Sequence, residues 1–304
     1  MKRISILVCG AGAIGCYYGS KLHQGGAQVS FVTPGDTHLL QDTGIYIESL
    51  NEKPYHFFPY EVINPGQTLS HTPDYVIVTT KVLPHIDTVE VVRPYLNPHT
   101  TIVLLQNGID IEHPFSQAFP NHELIRILAF VCVSRQSIGN VLHQDYGKIA
   151  MGNYPKGTSS RAQQLAQSFE KGGVECELSD QVQLACWKKL SWNAAFNPVS
   201  VLARGADTKT MLNDPECRQL IESIMGEVVS IAAHTGYDLP SSLIEEQLKN
   251  TDAMVPYKTS MLLDYENGRP MEIDAIVGNA LRVARRHNVP APRLQSLYGL
   301  LRLY

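Results

Sequence analysis

A glycine-rich turn near the start of the chain limits the folds open to it more than any other feature. Residues 4–9 form a short, apolar, β-rich run, and Gly10-Ala11-Gly12-Ala13-Ile14-Gly15 follows at once. A helical pattern continues to about Gln24, and a second apolar run covers residues 28–33. A G-x-G-x-x-G turn between a strand and a helix is typical of a dinucleotide-binding βαβ unit.

Each glycine of this turn has its own reason in that interpretation. Gly10 permits the tight turn, Gly12 lets backbone amides approach a pyrophosphate, and Gly15 lets the helix pack closely on the strand. The N-terminus of the helix adds partial positive charge. We therefore expect the turn to bind a dinucleotide; the alternative is a tight strand–helix connection without a ligand.

Two further apolar runs, at 74–79 and 101–105, are typical of parallel strands that are covered on both faces. Lys81 follows the first run and Asn107 follows the second. Ligands of open α/β sheets bind beyond the carboxyl ends of the strands, so both residues are candidates for the cofactor crevice. The alternatives are a solvated lysine and an Asn-Gly turn.

The remaining patterns divide the chain in two. A β-rich stretch at 125–152, with a turn at Gly139-Asn140, predicts antiparallel strands that extend the sheet, and strand patterns nearly disappear after residue 180. A chain of 304 residues also favours two domains. We predict an α/β Rossmann-type N-terminal domain (residues 1–179) that binds the dinucleotide, and an all-α C-terminal domain (residues 180–304) for substrate binding and dimerisation.

Several helices are expected in the second half. Asp214-Pro215 supplies a cap and a first-turn proline, and Gly236 ends that helix. Further helical patterns cover 241–249, 257–266 and 272–287. The buried stripe of the helix that starts at Asp214 is predicted to contain Leu220, Ile221, Ile224, Met225, Val228 and Val229.

A polar stripe crosses the helix that follows residue 180. Lys189, Asn193 and Asn197 recur at intervals of four and share one face, whereas the residues around them are apolar in nearly every direction. Lys188 cannot share that face and is expected nearer the surface. A lysine and two amides in such a helix must be paired or line a cavity, so the stripe is either a binding site or a buried structural network.

Two other polar groups could meet this stripe in a cleft: Ser260, and Glu272 beside Asp274. Ser260 alone carries little information. Glu272 has a simple alternative explanation, because a carboxylate in the first turn of a helix is stabilised by the helix dipole.

Composition excludes several functional classes. The net charge of −4 and the lack of basic runs argue against a nucleic-acid partner, and no apolar run is long enough to span a membrane. The cysteines are scattered, so we expect reduced thiols in a cytoplasmic protein and neither disulfides nor a metal site. Their positions are Cys9, Cys16, Cys132, Cys176, Cys186 and Cys217.

Over essentially its whole length the sequence resembles the ketopantoate reductase (2-dehydropantoate 2-reductase) family. The glycine-rich turn is shared with many dehydrogenases, whereas the lysine–asparagine helix and the later Glu-Ile-Asp helix are more specific. The matching elements are Gly10–Gly15, Thr79-Thr80-Lys81, Gln106-Asn107-Gly108, Trp187-Lys188-Lys189-Leu190 with Asn193 and Asn197-Pro198, Thr259-Ser260-Met261-Leu262, and Met271-Glu272-Ile273-Asp274.

The resemblance implies an NADPH-dependent reduction of ketopantoate to pantoate, a step toward pantothenate and coenzyme A. It implies that Lys189 binds the keto oxygen and supplies a proton, and that Glu272 holds the substrate or balances the lysine. A cationic donor stabilises the alkoxide as it develops.

The resemblance also assigns the binding residues. Asn193, Asn197 and Ser260 would bind the hydroxyl and carboxylate of the substrate, and Asn107 would lie between nicotinamide and substrate. The cofactor would contact Gly10, Ala11, Gly12, Ala13, Ile14, Gly15, Lys81, Asn107 and Glu272.

The sequence departs from the family pattern at two places. Residues 32–36 lack the arginine that commonly contacts the 2′-phosphate of NADP, and Asp36 there disfavours a phosphate. Lys81 matches a family lysine that can reach the same phosphate, so NADPH is expected, with NADH as the alternative. Many members also have an asparagine just before the position of Ser260, where this sequence has Tyr257-Lys258-Thr259. The difference concerns the residue that would recognise the 4-hydroxyl of the substrate.

Three interpretations therefore stay open. The first is reduction of ketopantoate, and the second is reduction of another branched 2-keto acid by the same fold, since pocket details set specificity. The third is a dinucleotide sensor without catalytic activity. A homodimer is expected as one possibility for the assembly.

Overall fold

The parallel strands that the apolar runs predict lie side by side in one sheet. The computed structural model describes residues 3–35 and 37–304, and its backbone forms two units. Unit 1 comprises Met1–Lys81, Asp87–Gln106 and Glu112–Val182. Unit 2 comprises Val82–Ile86, Asn107–Ile111 and Gln183–Tyr304.

Unit 1 is built on a mixed sheet. Its strands, in chain order, are β1 (Ser5–Cys9), β2 (Gln28–Val32), β3 (Ile45–Ser49), β4 (Tyr55–Phe57), β5 (Val62–Ile63), β6 (Tyr75–Val78), β7 (Thr101–Leu104), β8 (Leu124–Ser137), β9 (Asn140–Asn153) and β10 (Cys176–Leu178). Their order across the sheet is β4-β3-β9-β8-β7-β6-β1-β2-β5, and β10 pairs with β9.

The chain changes direction across the sheet at β1. Strand β2 pairs in parallel with one edge of β1 and β6 with the other, in register Ser5↔Gln28 and Ile6↔Tyr75. The carboxyl end of β1 is therefore a topological switch point, where open α/β sheets bind ligands. The glycine-rich turn begins there.

Helices of unit 1 connect and cover these strands. They are α1 (Ala13–Gln24), α2 (Thr37–Thr43), α3 (Thr88–Val92), α4 (His113–Ala118) and α5 (Ser160–Lys171), with a short 3₁₀ turn at Arg93–Tyr95. Ser159 caps α5 by accepting the N–H of Ala162 at 3.0 Å. The antiparallel pairing of β8 with β9 confirms the hairpin predicted at 125–152.

The sequence patterns gave no indication of β3, β4 and β5. These strands are two to five residues long, and β3 pairs with β9 from nearly a hundred residues later, in register Tyr46↔Asn140. Strands this short are defined by long-range pairing rather than by periodicity. The sheet is therefore wider than the sequence predicts.

Unit 2 is helical in the part of the chain that the structure describes, which confirms the predicted fold class. Its helices are α6 (Val182–Leu202), α7 (Thr208–Asn213), α8 (Pro215–His234), α9 (Leu243–Ala253), α10 (Ser260–Glu266), α11 (Asn279–Arg286) and α12 (Pro292–Leu301). A π-helical turn at Asp274–Gly278 precedes α11.

Three predictions for unit 2 need correction. Leu220 is exposed rather than part of the buried stripe of α8. The helix predicted from residue 257 begins at Ser260, because Thr259 caps it and accepts the N–H of Leu262. Lys188 is half-buried, as Lys189 is.

The interior of α8 also holds a carboxylate that the sequence did not single out. Glu227 is 7% exposed and accepts the N–H groups of Arg293 and Leu294, both at 3.0 Å. It thereby satisfies the free amides at the start of α12, a helix that the patterns did not predict.

Candidate active site

The glycine-rich turn in unit 1 is held by backbone and hydroxyl hydrogen bonds. Gly10 has a φ of +110°, and its N–H donates to the carbonyl of Val32 at 2.9 Å. The hydroxyl of Thr79 donates to the carbonyls of Cys9 and Gly10 at 3.0 and 2.9 Å. A side chain at Gly10 would strain this positive-φ conformation.

The other two glycines serve different purposes. A Cβ at Gly15 would lie 2.1 Å from the carbonyl oxygen of Gly10, so only glycine lets α1 start this close to the turn. A Cβ at Gly12 would meet nothing within 4 Å in the part of the chain that the structure describes, so the space beside it is open there. Close packing therefore explains why residue 15 is a glycine. It does not explain why residue 12 is one.

The start of α1 fits the phosphates of a dinucleotide. No side chain caps the helix at Gly12, and its first turn carries no acidic residue. The first N–H groups of a helix lack partners within the helix and attract anions. The open space at Gly12 and the uncapped helix therefore agree with dinucleotide binding, with Ala11, Ala13 and Ile14 supplying backbone to the same turn.

Thiol chemistry is not supported beside the turn. Burial raises the pKa of the Cys9 thiol well above its usual range and that of Cys16 to about 12. Both thiols therefore stay protonated at neutral pH and are poor nucleophiles.

Lys81 is half-buried and ends the first segment of unit 1, three residues after β6. Beyond β2, Pro34 and Gly35 are exposed, and the N–H of Gly35 donates to Oδ1 of Asn64 at 3.2 Å. The sequence has no Lys or Arg from residue 33 to residue 52. The expectation about Asp36 concerns a residue outside the ranges that the structure describes.

The second part of the site lies wholly within unit 2. Nζ of Lys189 donates to Oδ1 of Asn107 at 3.5 Å, and Nδ2 of Asn107 donates to Oε2 of Glu272 at 3.1 Å. The other carboxylate oxygen, Oε1, accepts the N–H of Val82 at 3.0 Å. We call this series, Lys189–Asn107–Glu272–Val82, the polar relay. Three of its members were predicted; the Val82 backbone N–H was not, because a main-chain donor leaves no trace in sequence.

Asn193 and Asn197 continue the same face of α6. Asn193 is half-buried, whereas Asn197 is 1% exposed and its Nδ2 has no hydrogen-bond partner among the described residues. A buried amide donor without a partner is costly, which is typical of a group that awaits a ligand. Pro198, inside α6, removes a backbone donor directly after it.

Ser260 is exposed at the first position of α10. It is connected to the polar stripe through its neighbour, since the hydroxyl of Thr259 lies 2.7 Å from that of Ser200, and Ser200 donates to the carbonyl of Asn197 at 2.8 Å. Thr259 was missed as a positioning residue, although a Thr before a helical pattern is a cap signature.

Asp274 does not join this set. Its Oδ1 accepts the hydroxyl of Tyr298 at 2.7 Å and pairs with Arg282 at 3.3 Å. Among the described residues, no cluster of His, Cys, Asp and Glu is arranged to hold a metal ion.

A lysine linked through an amide to a fixed carboxylate can donate a proton to an oxygen on which negative charge develops. A glycine turn with an open helix N-terminus can hold the phosphates of a nicotinamide dinucleotide. Proteins that combine the two features are nicotinamide-dependent oxidoreductases that act on carbonyl groups. The fold and the site define this class.

Comparison with known proteins identifies the family. Residues 6–156 match the model described as "Ketopantoate reductase PanE/ApbA", and residues 181–304 match that described as "Ketopantoate reductase PanE/ApbA C terminal". The chain belongs to the ketopantoate reductase family.

Individual relatives cover nearly the whole chain. A 2-dehydropantoate 2-reductase from a Nostoc species is 33% identical over 309 residues, which cover 99% of this chain and 95% of the relative. The crystal structure of a 2-dehydropantoate 2-reductase from Methylococcus capsulatus is 42% identical and superposes with a TM-score of 0.94, covering 99% of this chain and 96% of that chain.

A more distant structure shows the fold alone. The ternary structure of D-mandelate dehydrogenase with NADH and anilino(oxo)acetate is 20% identical and superposes with a TM-score of 0.90, covering 99% of this chain and 97% of that one. Within the described ranges, no helix of this chain is long and apolar enough to cross a membrane.

Proposed function

We propose that the chain reduces 2-dehydropantoate (ketopantoate) to pantoate with NADPH, as a step of pantothenate and coenzyme A biosynthesis. The observation that carries this proposal is the polar relay, which holds an amine next to an amide and a carboxylate in unit 2. Relatives at 33% and 42% identity carry the name 2-dehydropantoate 2-reductase, which supports ketopantoate as the acceptor.

Lys189 is the proposed proton donor. Reduced nicotinamide, when bound, supplies a hydride to the carbonyl carbon of the substrate. The electron pair of the C=O double bond then moves to the keto oxygen, which takes a proton from Nζ of Lys189. Solvent returns the proton to the amine. A charged donor lowers the barrier because it stabilises the alkoxide where charge appears.

Asn107 and Glu272 position that lysine. The carboxylate is held at both oxygens, by the Val82 N–H and by Nδ2 of Asn107, so it presents a fixed negative charge. Asn107, held by this carboxylate, presents its Oδ1 to the amine of Lys189 and so orients it. Asn107 and Glu272 are also proposed to contact the cofactor.

The rest of the substrate is proposed to bind along α6. Nδ2 of Asn197 is buried and needs an acceptor, which the carboxylate or hydroxyl of a hydroxylated 2-keto acid provides. Asn193 shares that face, and Ser260 begins the helix that Thr259 connects to α6. We propose these three residues as the substrate-binding set.

In unit 1, the turn from Gly10 to Gly15 is proposed to hold the pyrophosphate, and Lys81 the 2′-phosphate of NADPH. NADH is the alternative, because residues 33–52 contain no Lys or Arg. Unit 2 is proposed to bind the substrate and to form a homodimer, which sedimentation of the purified protein checks.

One observation favours a second candidate substrate, a different 2-keto acid. The ring of Tyr257 lies 6.4 Å from that of Trp192, and Tyr257 belongs to the stretch Tyr257-Lys258-Thr259, where the family resemblance implies an asparagine. An aromatic pair there suits a branched 2-keto acid without a 4-hydroxyl.

The test is oxidation of NADPH and of NADH, followed side by side with ketopantoate and with branched 2-keto acids that lack the hydroxyl. The proposal expects the highest kcat/KM for ketopantoate with NADPH. A higher value for another 2-keto acid would select the second acceptor. Cofactor binding without reduction of any keto acid would overturn both and favour a dinucleotide sensor.

A further inference from the structure

Two short segments of unit 2 meet along their length beside the polar relay. One is residues 107–110, which we call the Asn107 segment. The other is residues 272–279, which we call the π-turn segment, because it contains the π-helical turn Asp274–Gly278. The relay uses the first residue of each, Asn107 and Glu272, which are joined at 3.1 Å.

The next contact requires the smallest residue. Gly108 has a φ of +98°, and a Cβ there would lie 2.3 Å from the carbonyl oxygen of Ala275. The N–H of Ile109 donates to that same carbonyl at 3.4 Å. The backbone that carries Asn107 is therefore pressed directly on the backbone that follows Glu272.

The π turn sets the direction of Asn279. The N–H of Asn279 donates to the carbonyl of Asp274, five residues earlier, so the turn holds one more residue than an α-helical turn would. Such turns are frequent at functional sites. With the extra residue, the Asn279 side chain faces the Asn107 segment.

The carboxamide of Asn279 joins the π-turn segment to the Asn107 segment by a hydrogen bond. Its Nδ2 donates to the carbonyl of Ile109 at 2.7 Å, and its Oδ1 accepts a hydrogen bond from Nη2 of Arg282. Because Arg282 occupies the oxygen, the amide nitrogen is directed at Ile109. Farther out, Arg286 pairs with Asp110 at 2.5 Å.

We propose that Asn279 is a positioning residue for the reduction: it fixes the Asn107 segment on the π-turn segment, and so sets Asn107 against Glu272 and Lys189. This inference rests on the proposed function. Asn279 acts through the backbone, since its hydrogen bond to the carbonyl of Ile109 holds the chain two residues after Asn107.

The test is Asn279→Asp, which keeps the shape of the side chain and the partner for Arg282 but removes the donor to Ile109. We expect kcat with the best keto acid to fall about 10- to 100-fold, since small misplacements of catalytic groups have effects of that size. The KM for NADPH and the Tm should change little. Asn279→Ser removes the same hydrogen bond without added charge and serves if the aspartate variant does not fold.

Asn267→Ala is the matched control. Nδ2 of Asn267 also donates to a carbonyl of unit 2, that of Leu263 at 2.6 Å, but the bond lies at the exposed end of α10. Its loss should leave kcat unchanged. Equal losses of kcat in Asn267→Ala and Asn279→Asp would contradict a specific role for Asn279.

A double-mutant comparison separates positioning from general stability. If Asn279 acts through Asn107, adding Asn279→Asp to Asn107→Ala should lower kcat no further. Independent, multiplicative losses would overturn the inference, and so would wild-type kcat in Asn279→Asp and Asn279→Ser. A wild-type protein that reduces no keto acid would instead refute the proposed function.

Discussion

The glycine turn of unit 1 and the polar relay of unit 2 are built by different means. The turn depends on backbone conformation: Gly10 has a positive φ, and Gly15 fits closely against the carbonyl of Gly10. In the relay, side chains from residues 107, 189 and 272 meet, and each contributes a charge or an amide.

This difference predicts how each region fails. Substitutions in the turn fill space beside the backbone, so they should affect either folding or cofactor affinity, depending on which glycine is replaced. Substitutions in the relay remove a chemical group while leaving the helices intact. The turn is also common to many dehydrogenases, whereas the side chains of the polar relay are more specific to one type of reaction.

The largest effect is expected in the relay. Lys189→Ala should lower kcat about 10²- to 10⁴-fold, the range of general acid catalysis, because the keto oxygen loses its proton donor. Lys188→Ala is the matched control, since its side chain is also half-buried but belongs to a different face of α6. Steady-state NADPH oxidation measures both. Near-wild-type kcat in Lys189→Ala would exclude the proposed role.

The next largest effects are expected in the turn, where substitutions of Gly15 and Gly12 should change different properties of the protein. Gly15→Ala brings a Cβ to 2.1 Å from the carbonyl of Gly10, and overpacking of this kind costs about 1–3 kcal/mol, so the Tm should fall. Gly12→Ala meets open space and should keep its Tm, yet it should weaken NADPH binding about tenfold, because the added methyl stands where the pyrophosphate approaches.

Thermal unfolding and a fluorescence titration with NADPH measure these changes. Wild-type affinity in Gly12→Ala would show that the pyrophosphate does not approach this glycine. A wild-type Tm in Gly15→Ala would show that helix α1 can shift away from the turn at little cost.

A smaller effect is expected at Asn197. Asn197→Leu replaces a buried donor by an apolar group of similar size. Because that donor has no partner within residues 3–35 and 37–304, the Tm of the free protein should stay the same or rise. The KM for the keto acid should rise about tenfold, since a hydrogen bond to a charged group is lost. An unchanged KM, or a clearly lower Tm, would argue for a structural role.

Much of unit 1 could be predicted from sequence because its central strands are short apolar runs with turns between them. Strands β3 and β4 could not, since β3 is recognised only by its pairing with β9, far along the chain. In unit 2 the longer helices were predicted, but α7 and α12 were not. Leu220 was placed in the core, and Glu227 was overlooked. The periodicity of apolar residues predicts which face of a helix is apolar. Whether a residue on that face is buried also depends on which neighbouring elements cover it.

The site shows a similar division. Lys189 and Asn197 were found from one helical stripe, and Asn107 from its place after a predicted strand. The family resemblance gave Asn107 and Glu272 their roles. The polar spacing in sequence gave no reason to link residue 107 to residue 272, and the π turn that brings Ala275 against Gly108 had no recognisable pattern. Contacts between distant segments decide the geometry of this site.

The most direct test of the division between the two units is the NADPH dissociation constant of the Lys189→Ala protein, measured by fluorescence titration. If the turn of unit 1 carries the cofactor affinity and Lys189 carries the chemistry, the constant should stay within about twofold of the wild-type value, as expected for independent sites. A tenfold or greater loss of affinity would contradict this account, because Lys189 would then contribute to holding the dinucleotide.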